Sequence, residues 1–212
     1  QKTTAPPVLR AGTPATDNVW SPQIARDLDP PDPGFHYDPI DLAIGGWTVG
    51  AGRSLTVLPD TVVTFFGSRG VKLDPGARLR AEGQPLHPVR CVDYRLVQEQ
   101  SLNWGGATNL PVLFGGTDSV STDNRSAPTA SLRLVELTST ATPLQWLRSD
   151  ADSRWSTLAL QDCRFSGGRL PCAGSQPTVL NLRNCLFDRV AISLRQGVQL
   201  AAANLLCRGG SG

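Results

Sequence analysis

The chain has 212 residues, of which 21 are glycine and 17 are proline, and 18% of all residues are charged. This length accommodates one domain with a sizeable buried core, and the many turn-forming residues argue against a mostly helical protein. A net charge of +2, with the arginines scattered singly, excludes a strongly basic surface, so we expect no nucleic-acid partner.

A proline-rich segment comes first in the chain. Residues 1–33 contain seven prolines and little apolar periodicity, so we expect an extended N-terminal arm or linker. Residues 34–54 are expected to form an N-terminal cap and lead-in to the structure that follows. No apolar run approaches the roughly 18 residues that span a bilayer, so we expect no membrane span.

Four polar or aromatic residues cluster before the first regular strands, at His36, Tyr37, Asp38 and Asp41. Carboxylate oxygens suit calcium, so Asp38 and Asp41 are candidate calcium ligands, and the two rings are candidate sugar contacts. The alternative, which we favour, is a turn that plugs the end of the fold. Apart from this calcium candidate, we expect no cofactor.

Short β-rich runs separated by turn residues begin near residue 54. Each run is too short for a helix and alternates or is rich in β-branched residues. Two of the turns, Pro59-Asp60 and Pro75-Gly76, lie at equivalent places between their flanking strands, so Pro59 and Pro75 indicate a repeat. The predicted strands are 54–58, 61–66, 70–73 and 77–81.

A longer repeat follows in the second half of the chain. The sequence LALQDCRF at 158–165 recurs 22 residues later as LNLRNCLF at 180–187, and 202–209 is a weaker copy after another 22. Residues 132–137 align with 158–163, as if a loop between these two copies had been lengthened. A fixed period with insertions is typical of a solenoid.

Two solenoids fit this period, the leucine-rich repeat and the parallel β-helix. A leucine-rich repeat usually returns by a helix, whereas the return after Phe165 is rich in glycine and proline and cannot form one. We therefore predict an all-β fold, a single-stranded parallel β-solenoid of about seven coils of roughly 22–26 residues over 55–212. The absence of methionine and of a C-terminal cap favours a piece of a longer protein.

Equivalent residues of stacked coils should form ladders along the axis of the solenoid. We expect Asp162 and Asn184 at corners, hydrogen-bonded to each other. The odd cysteine count excludes a fold held by disulfides throughout, and a Cys163–Cys172 disulfide remains one alternative. The predicted inward ladders are Leu158/Leu180/Ala202, Leu160/Leu182, Cys163/Cys185/Cys207 and Phe165/Phe187.

The run from Leu55 to Cys91 resembles the opening coils of secreted bacterial right-handed parallel β-helix proteins, the pectin-lyase-like superfamily. The resemblance lies in strands separated by Pro-Asp and Pro-Gly turns, followed by Ala81-Glu82-Gly83, four residues and Pro88. It implies a right-handed solenoid and a secreted or cell-surface location. It does not imply one activity, because the superfamily includes lyases, hydrolases, adhesins and tail spikes.

One segment resembles a site for an acidic polysaccharide. Arg148, Asp150, Asp152 and Arg154 combine two cationic with two carboxylate side chains. In an acidic-polysaccharide lyase, arginine neutralises the uronate while a metal or another base assists proton abstraction. Trp146 and Trp155 are candidates for stacking on a sugar ring. A solvated loop between coils is the alternative, and we favour it.

The motifs that carry catalysis in this superfamily are missing, since no Asp-Asp pair and no Gly-His-Gly occurs. We therefore favour a non-catalytic rod segment with a structural role or with a polysaccharide or surface protein as its partner. The alternatives are a polysaccharide lyase or hydrolase, and a structural protomer that stacks end to end into fibres.

Overall fold

The computed structural model describes residues 7–24, 39–66, 69–93, 112–116, 127–139, 144–148, 154–172, 178–195 and 197–210. These residues form strands and turns, and none of them lies in a helix. The strands are β1 (Val8–Gly12), β2 (Asn18–Trp20), β3 (Leu42–Val49), β4 (Ser54–Val57), β5 (Val62–Phe65), β6 (Arg69–Leu73), β7 (Arg78–Glu82), β8 (Val89–Asp93), β9 (Val112–Gly115), β10 (Thr129–Arg133), β11 (Val135–Thr138), β12 (Gln145–Arg148), β13 (Thr157–Gln161), β14 (Arg164–Ser166), β15 (Arg169–Cys172), β16 (Thr178–Asp188), β17 (Ala191–Leu194) and β18 (Val198–Arg208).

The strands stack in three ladders, and every pairing between described strands is parallel. Ladder A runs through β2, β4, β7, β10, β13 and the first halves of β16 and β18. Ladder B runs through β1, β3, β5, β8, β11, β14 and the second halves of β16 and β18. Ladder C runs through β3, β6, β9, β12, β15 and β17.

The chain visits the ladders in the order A, B, C and then returns to A. Two neighbouring parallel strands need a crossover connection between them. In each ladder this connection consists of the strands of the other two ladders, and no helix occurs in it in the described part. This arrangement confirms the prediction of an all-β parallel fold and is consistent with a β-solenoid.

The interior between the ladders is apolar. Trp146, Phe114, Phe165 and Phe187 are among the largest side chains that are fully buried there. The Phe165 and Phe187 rings stack with their centroids 5.0 Å apart and their planes at 20°. The core is therefore continuous from coil to coil, because like residues pack on like residues along one column.

The predicted step from one copy of the repeat to the next is confirmed between β13 and β16. Leu158 pairs with Leu180, and Leu160 pairs with Leu182. Phe165 pairs with Phe187 at the same spacing. The inward faces predicted from the alternation of apolar and polar residues are therefore correct for these two coils.

The step from β16 to β18 is shorter than predicted. Leu180 pairs with Leu200, so the predicted pairing of Leu180 with Ala202 is wrong. The physical reason is the length of the corner, since five residues separate β15 from β16 but only three separate β17 from β18. The shorter corner moves β18 by two residues relative to β16. For the same reason Cys207 pairs with Phe187 rather than extending the cysteine ladder.

One other predicted alignment is also wrong. Leu158 pairs with Ala130 and not with the predicted Leu132, so this step is longer than expected. In the first half of the chain Leu55 pairs with Leu79, so the repeated turns at Pro59 and Pro75 lie within a single coil. Coil length therefore varies more than predicted, because whole loops are inserted between strands whose own lengths stay short.

The N-terminal segment does not form the predicted arm where the structure describes it. β1 pairs with β3, and β2 pairs with β4, so both are strands of the sheet. Trp20 is buried and packs edge-on against Trp47, with ring centroids 6.1 Å apart. β3 likewise lies in ladders B and C rather than in a separate cap. The strand order thus begins at Val8, well before the predicted start at residue 55.

Residues with a left-handed backbone conformation lie one above the other at the corner between ladders A and B. Leu134, Asp162, Asn184 and Asn204 all have φ between 51° and 55°. Asn and Asp tolerate this conformation better than other residues with a side chain, because their short polar groups bond locally. Asn184 Nδ2 donates to Asp162 Oδ1 at 2.9 Å, and Asn204 Nδ2 donates to Asn184 Oδ1 at 2.9 Å. The predicted hydrogen bond between corner residues is confirmed.

Gly83 occupies the same corner in an earlier coil, where a short loop connects β7 to β8. A Cβ atom at this position would overlap the carbonyl oxygen of Leu134, so only glycine fits. Gln84 and His87 then close a small antiparallel turn that carries Leu86, which is 86% exposed. The Ala-Glu-Gly element thus ends a strand and lets the next coil approach closely.

Candidate functional site

Exposed leucines lie on β18, the last of the described strands. In β16 the inward residues Leu180, Leu182, Cys185 and Phe187 are buried. Their partners in β18 occupy the same columns but are exposed. We call this surface the β18 edge and define it by Leu200, Ala202, Leu205 and Cys207.

The inward columns of earlier coils continue onto the β18 edge. Leu200 is 48% exposed and Leu205 is 37% exposed, although their partners Leu180 and Cys185 in the preceding coil are almost fully buried. Among the described strands, β18 pairs with β16 alone. Its other side therefore presents backbone groups and apolar side chains that a further parallel strand would cover.

The outer face of the last coils carries a shallow depression of about 330 Å³. It lies over β13, β16 and β18 and combines small apolar side chains with polar ones. Of its described lining residues none is aromatic or acidic. The outward-facing residues along it are Ala159, Gln161, Asn181, Arg183, Ala201 and Ala203.

An ion pair ties β18 to β16. Arg208 donates from Nε to Asp188 Oδ1 at 2.9 Å and from Nη2 to Asp188 Oδ2 at 3.2 Å. Arg189 adds a second cation, with its Nη2 3.6 Å from Asp188 Oδ2. The hydrogen bonds from Arg208 hold the pKa of Asp188 below its usual range. Because the Asp188 side chain is buried, this bidentate contact fixes the register of β18 against β16 at the end of the β18 edge.

We predict that acid loosens β18. The folded pKa of Asp188 is lowered, so its contribution to stability is present above the unfolded value of about 3.9 and is lost as the pH falls through the folded pKa. Amide hydrogen exchange in β18 should therefore accelerate, relative to the intrinsic rate, as the pH falls below about 4. The pKa of Asp162 is also lowered, because its carboxylate accepts a hydrogen bond from Asn184, so its contribution to stability is lost over the same acidic range.

Two variants separate these two carboxylates. Asp188→Asn should remove most of the acid-induced loss of protection at 205–208, while Asp162→Asn should leave it unchanged there. Equal loss in the wild type and in Asp188→Asn would mean that the ion pair does not hold this strand.

The predicted catalytic segment is only partly described. Asp150 and Asp152 lie outside the described residues. The backbone oxygen of Arg148 accepts a hydrogen bond from Trp155 Nε1 at 2.7 Å. Arg154 is half-buried, and its Nε atom is buried without a hydrogen-bond partner in the described part of the structure. The described geometry thus joins Arg148 to Trp155 but shows no acid–base pair.

The prediction that Trp146 and Trp155 stack on a sugar ring is wrong. Trp146 is 0% exposed, and Trp155 is 2% exposed. Trp146 Nε1 donates to the Gly167 carbonyl at 2.8 Å, so its one polar atom is satisfied within the protein. Both rings fill the interior of the solenoid, because a coil of this width needs large side chains to close its core.

The structure gives Asp41 a structural role instead of an exposed calcium site. It is 0% exposed, and its Oδ1 accepts hydrogen bonds from the backbone N–H groups of Gln23 at 2.7 Å and Ile24 at 3.1 Å. Its Oδ2 accepts one from Val62 N–H at 2.8 Å. The other members of that predicted cluster, His36, Tyr37 and Asp38, lie outside the described residues. No group of three or more His, Cys, Asp or Glu suited to a metal ion occurs in the described part.

All five cysteines are free, and four of them are buried. The alternative of a Cys163–Cys172 disulfide is therefore not realised. Burial raises the pKa of Cys91 and of Cys172 to about 12, so these thiols stay protonated at neutral pH. Cys163 and Cys185 differ from them, because they occupy equivalent positions in neighbouring coils.

No protein-family model, curated protein or solved structure matches the chain. None of the described segments forms a helix of the length and apolarity needed to cross a membrane. The candidate surface therefore has to be interpreted from its own geometry.

Sequence reasoning missed the β18 edge and the Asp188–Arg208 pair. One signal was available for both, namely the recurrence of asparagine at Asn184 and Asn204, a residue type that corners prefer. Aligning these asparagines would have placed Leu200 under Leu180 and Arg208 beside Asp188, as the structure does.

Proposed function

We propose that the chain is a non-catalytic rod segment, a right-handed β-helix of about seven coils, that acts outside the cell or at the surface of a bacterium. Its role is structural, and the β18 edge is the face on which a further parallel coil packs, a face that a second copy of the chain can also use. The handedness and the location rest on the resemblance of 55–91 to secreted bacterial β-helix proteins. The fold supports the proposal, because a stack of parallel coils makes a stiff, extended body.

The observation that carries this proposal is the exposure of inward columns on β18. Exposed strand edges are pairing sites, and proteins that do not use them usually block them with charges or proline. The inward positions of the β18 edge carry leucine, alanine and cysteine, with no charge and no proline among them. A partner strand added in parallel would continue ladders A and B and bury these side chains.

The opposite end of ladder B offers a matching strand. In β1, Val8 is 37% exposed and Leu9 is 63% exposed, and β1 pairs with β3 alone among the described strands. A copy translated along the axis would place β1 beside β18 with the strands in the same direction. Such a head-to-tail contact does not close on itself, so it produces open filaments.

Leu205→Lys tests this role of the β18 edge. The lysine charge would be buried by an added strand, so we expect concentration-dependent assemblies of the wild type in analytical ultracentrifugation and their loss in the variant. Leu86→Lys is the matched control, because it places the same charge on an exposed leucine far from β18. Wild-type protein that stays monomeric at all concentrations would contradict joining through a second copy.

A role in polysaccharide binding has less support, because the two tryptophans proposed to stack on sugars are buried. An enzyme acting on an acidic polysaccharide is the second candidate, and it rests on the guanidinium groups of Arg148 and Arg154, since arginine pairs well with a carboxylate such as that of a uronate.

A panel of uronate polysaccharides decides between the two functions. For the rod segment we expect no increase in the absorbance of unsaturated sugar ends. Turnover that disappears in Arg154→Gln, with an unchanged melting temperature, would establish the lyase and overturn the non-catalytic proposal.

A further inference from the structure

Cys163 and Cys185 occupy the same position in successive coils. Each follows a left-handed corner residue, and the pairings on both sides of the corner keep the same step along the chain. Neighbouring strands of a sheet lie about 4.8 Å apart. This spacing falls within the range of about 4.4–6.8 Å between Cα atoms that a disulfide can bridge.

Both thiols point into the core. Cys163 is 3% exposed and Cys185 is 2% exposed. The Sγ of Cys163 lies 3.4 Å from the Leu132 carbonyl oxygen, and the Sγ of Cys185 lies 3.4 Å from that of Leu160. Each sulfur is thus held at the equivalent place on its own coil, so the two thiols are stacked in neighbouring coils.

The column that contains Cys163 and Cys185 has two cysteines in neighbouring coils and no third cysteine next to them. On the C-terminal side the partner of Cys185 is Leu205. A pair isolated in this way is suited to one defined covalent link, because each sulfur has a single sulfur neighbour along the column. Cys91 lies in the Phe165 column and Cys172 in ladder C, so neither competes for it.

The two thiols are chemically unequal. The interaction with Cys163 lowers the pKa of Cys185, while the same interaction raises the pKa of Cys163. Cys185 is therefore the thiol that ionises first, to the nucleophilic thiolate, and Cys163 is the protonated partner that follows.

We propose that Cys163 and Cys185 form a redox-active pair that a hydroperoxide converts into a disulfide between adjacent coils. The Cys185 thiolate attacks one peroxide oxygen, the O–O bond breaks, and the products are a sulfenic acid and hydroxide. The Cys163 sulfur then attacks the sulfenic sulfur, the S–O bond breaks, and water leaves with the thiol proton. Two thiols are oxidised, and one hydrogen peroxide is reduced to two waters.

This disulfide would link the coil that contains β13 and β14 covalently to the coil that contains β16. β16 is the strand on which the β18 edge rests, so oxidation would stiffen the base of that edge. The inference does not depend on the proposed function, because it concerns the state of the thiols in the isolated chain.

The test uses the full chain carrying Cys207→Ser, since Cys207 is the exposed cysteine and could link two chains. The protein is treated with hydrogen peroxide, its remaining thiols are alkylated in denaturant, and its peptides are analysed by mass spectrometry. We expect one cross-link, between the Cys163 and Cys185 peptides, with Cys91 and Cys172 recovered alkylated. Its rate of formation should rise with pH, as the thiolate of Cys185 forms.

Two variants sharpen the outcome. Cys172→Ser should retain the cross-link, whereas Cys163→Ser should lose it and leave a sulfenic acid on Cys185 that dimedone traps. A cross-link between any other pair, or recovery of both residues fully alkylated after oxidation, would overturn the proposal. The cross-link itself is measured in the chain that retains both Cys163 and Cys185, so the main result does not depend on whether Cys163→Ser folds.

Discussion

Replacing Asp41 with alanine is expected to lower the free energy of unfolding by at least about 3 kcal/mol. The substitution leaves three backbone N–H groups, those of Gln23, Ile24 and Val62, without their acceptor. The Val62 N–H is buried, and leaving such a donor unsatisfied costs roughly 1–3 kcal/mol, more where the lost partner was charged; the part-buried N–H groups of Gln23 and Ile24 add less. Chemical denaturation monitored by circular dichroism gives the measurement.

Asp17→Ala is the matched control for this prediction. Asp17 Oδ1 also accepts from a backbone N–H group, that of Ser54 at 2.9 Å, but it does so at the exposed surface. Its loss should cost no more than about 1 kcal/mol. The measurement should be repeated with calcium and with a chelator. Equal stability of the wild type in both supports the structural role, whereas stabilisation by calcium that Asp41→Ala abolishes would restore the calcium site.

Phe165→Ala is expected to lower the free energy of unfolding by about 3–5 kcal/mol, the usual cost of truncating a fully buried phenylalanine. Phe165 is 0% exposed and stacks on Phe187, so the variant leaves a cavity and removes the ring contact. The neighbouring coils limit collapse of this cavity, because their backbones are fixed by the pairings of ladder B. Urea denaturation gives the magnitude.

Leu86→Ala is the control for the effect of truncating an apolar side chain. Leu86 is 86% exposed, so its removal should change the stability by less than about 0.5 kcal/mol. A loss below about 1 kcal/mol in Phe165→Ala would contradict a close-packed interior of the solenoid.

Much of the fold could be predicted from the sequence because strands leave a local signal. The alternation of apolar and polar residues around Leu158 and Leu180 identifies which side chains face inward, and the structure buries them as predicted. The aspartate and asparagine at the corners were also recognisable, because few residue types adopt a left-handed backbone. These features depend on a few neighbouring residues only.

The register of the coils was not predictable in the same way. Two of the predicted alignments were wrong by two residues, since the structure places Ala130 on Leu158 and Leu180 on Leu200. A shift of two residues keeps every side chain on the same face of a strand, so the apolar pattern fits both alignments equally well. The lengths of the corner loops decide between them.

The candidate sites were less predictable than the fold. Trp146 and Trp155 have the residue type that binds sugars, but the same type also fills cores, and only their burial distinguishes the two roles. Val8 and Trp20 lie in a proline-rich segment that predicts an arm, and their pairing with distant strands overrides that local preference. Local composition carries no information about such distant contacts.

The sequence by itself determined the composition of the strands, their inward faces and the repeating corners, and with them the parallel all-β architecture. The tertiary structure alone decided which coil positions meet. It placed Leu200 against Leu180, Asp188 against Arg208, and the leucines of the β18 edge in columns that are buried elsewhere. The physical reason is that alternation along a strand depends on adjacent residues, whereas stacking depends on the lengths of the loops between coils.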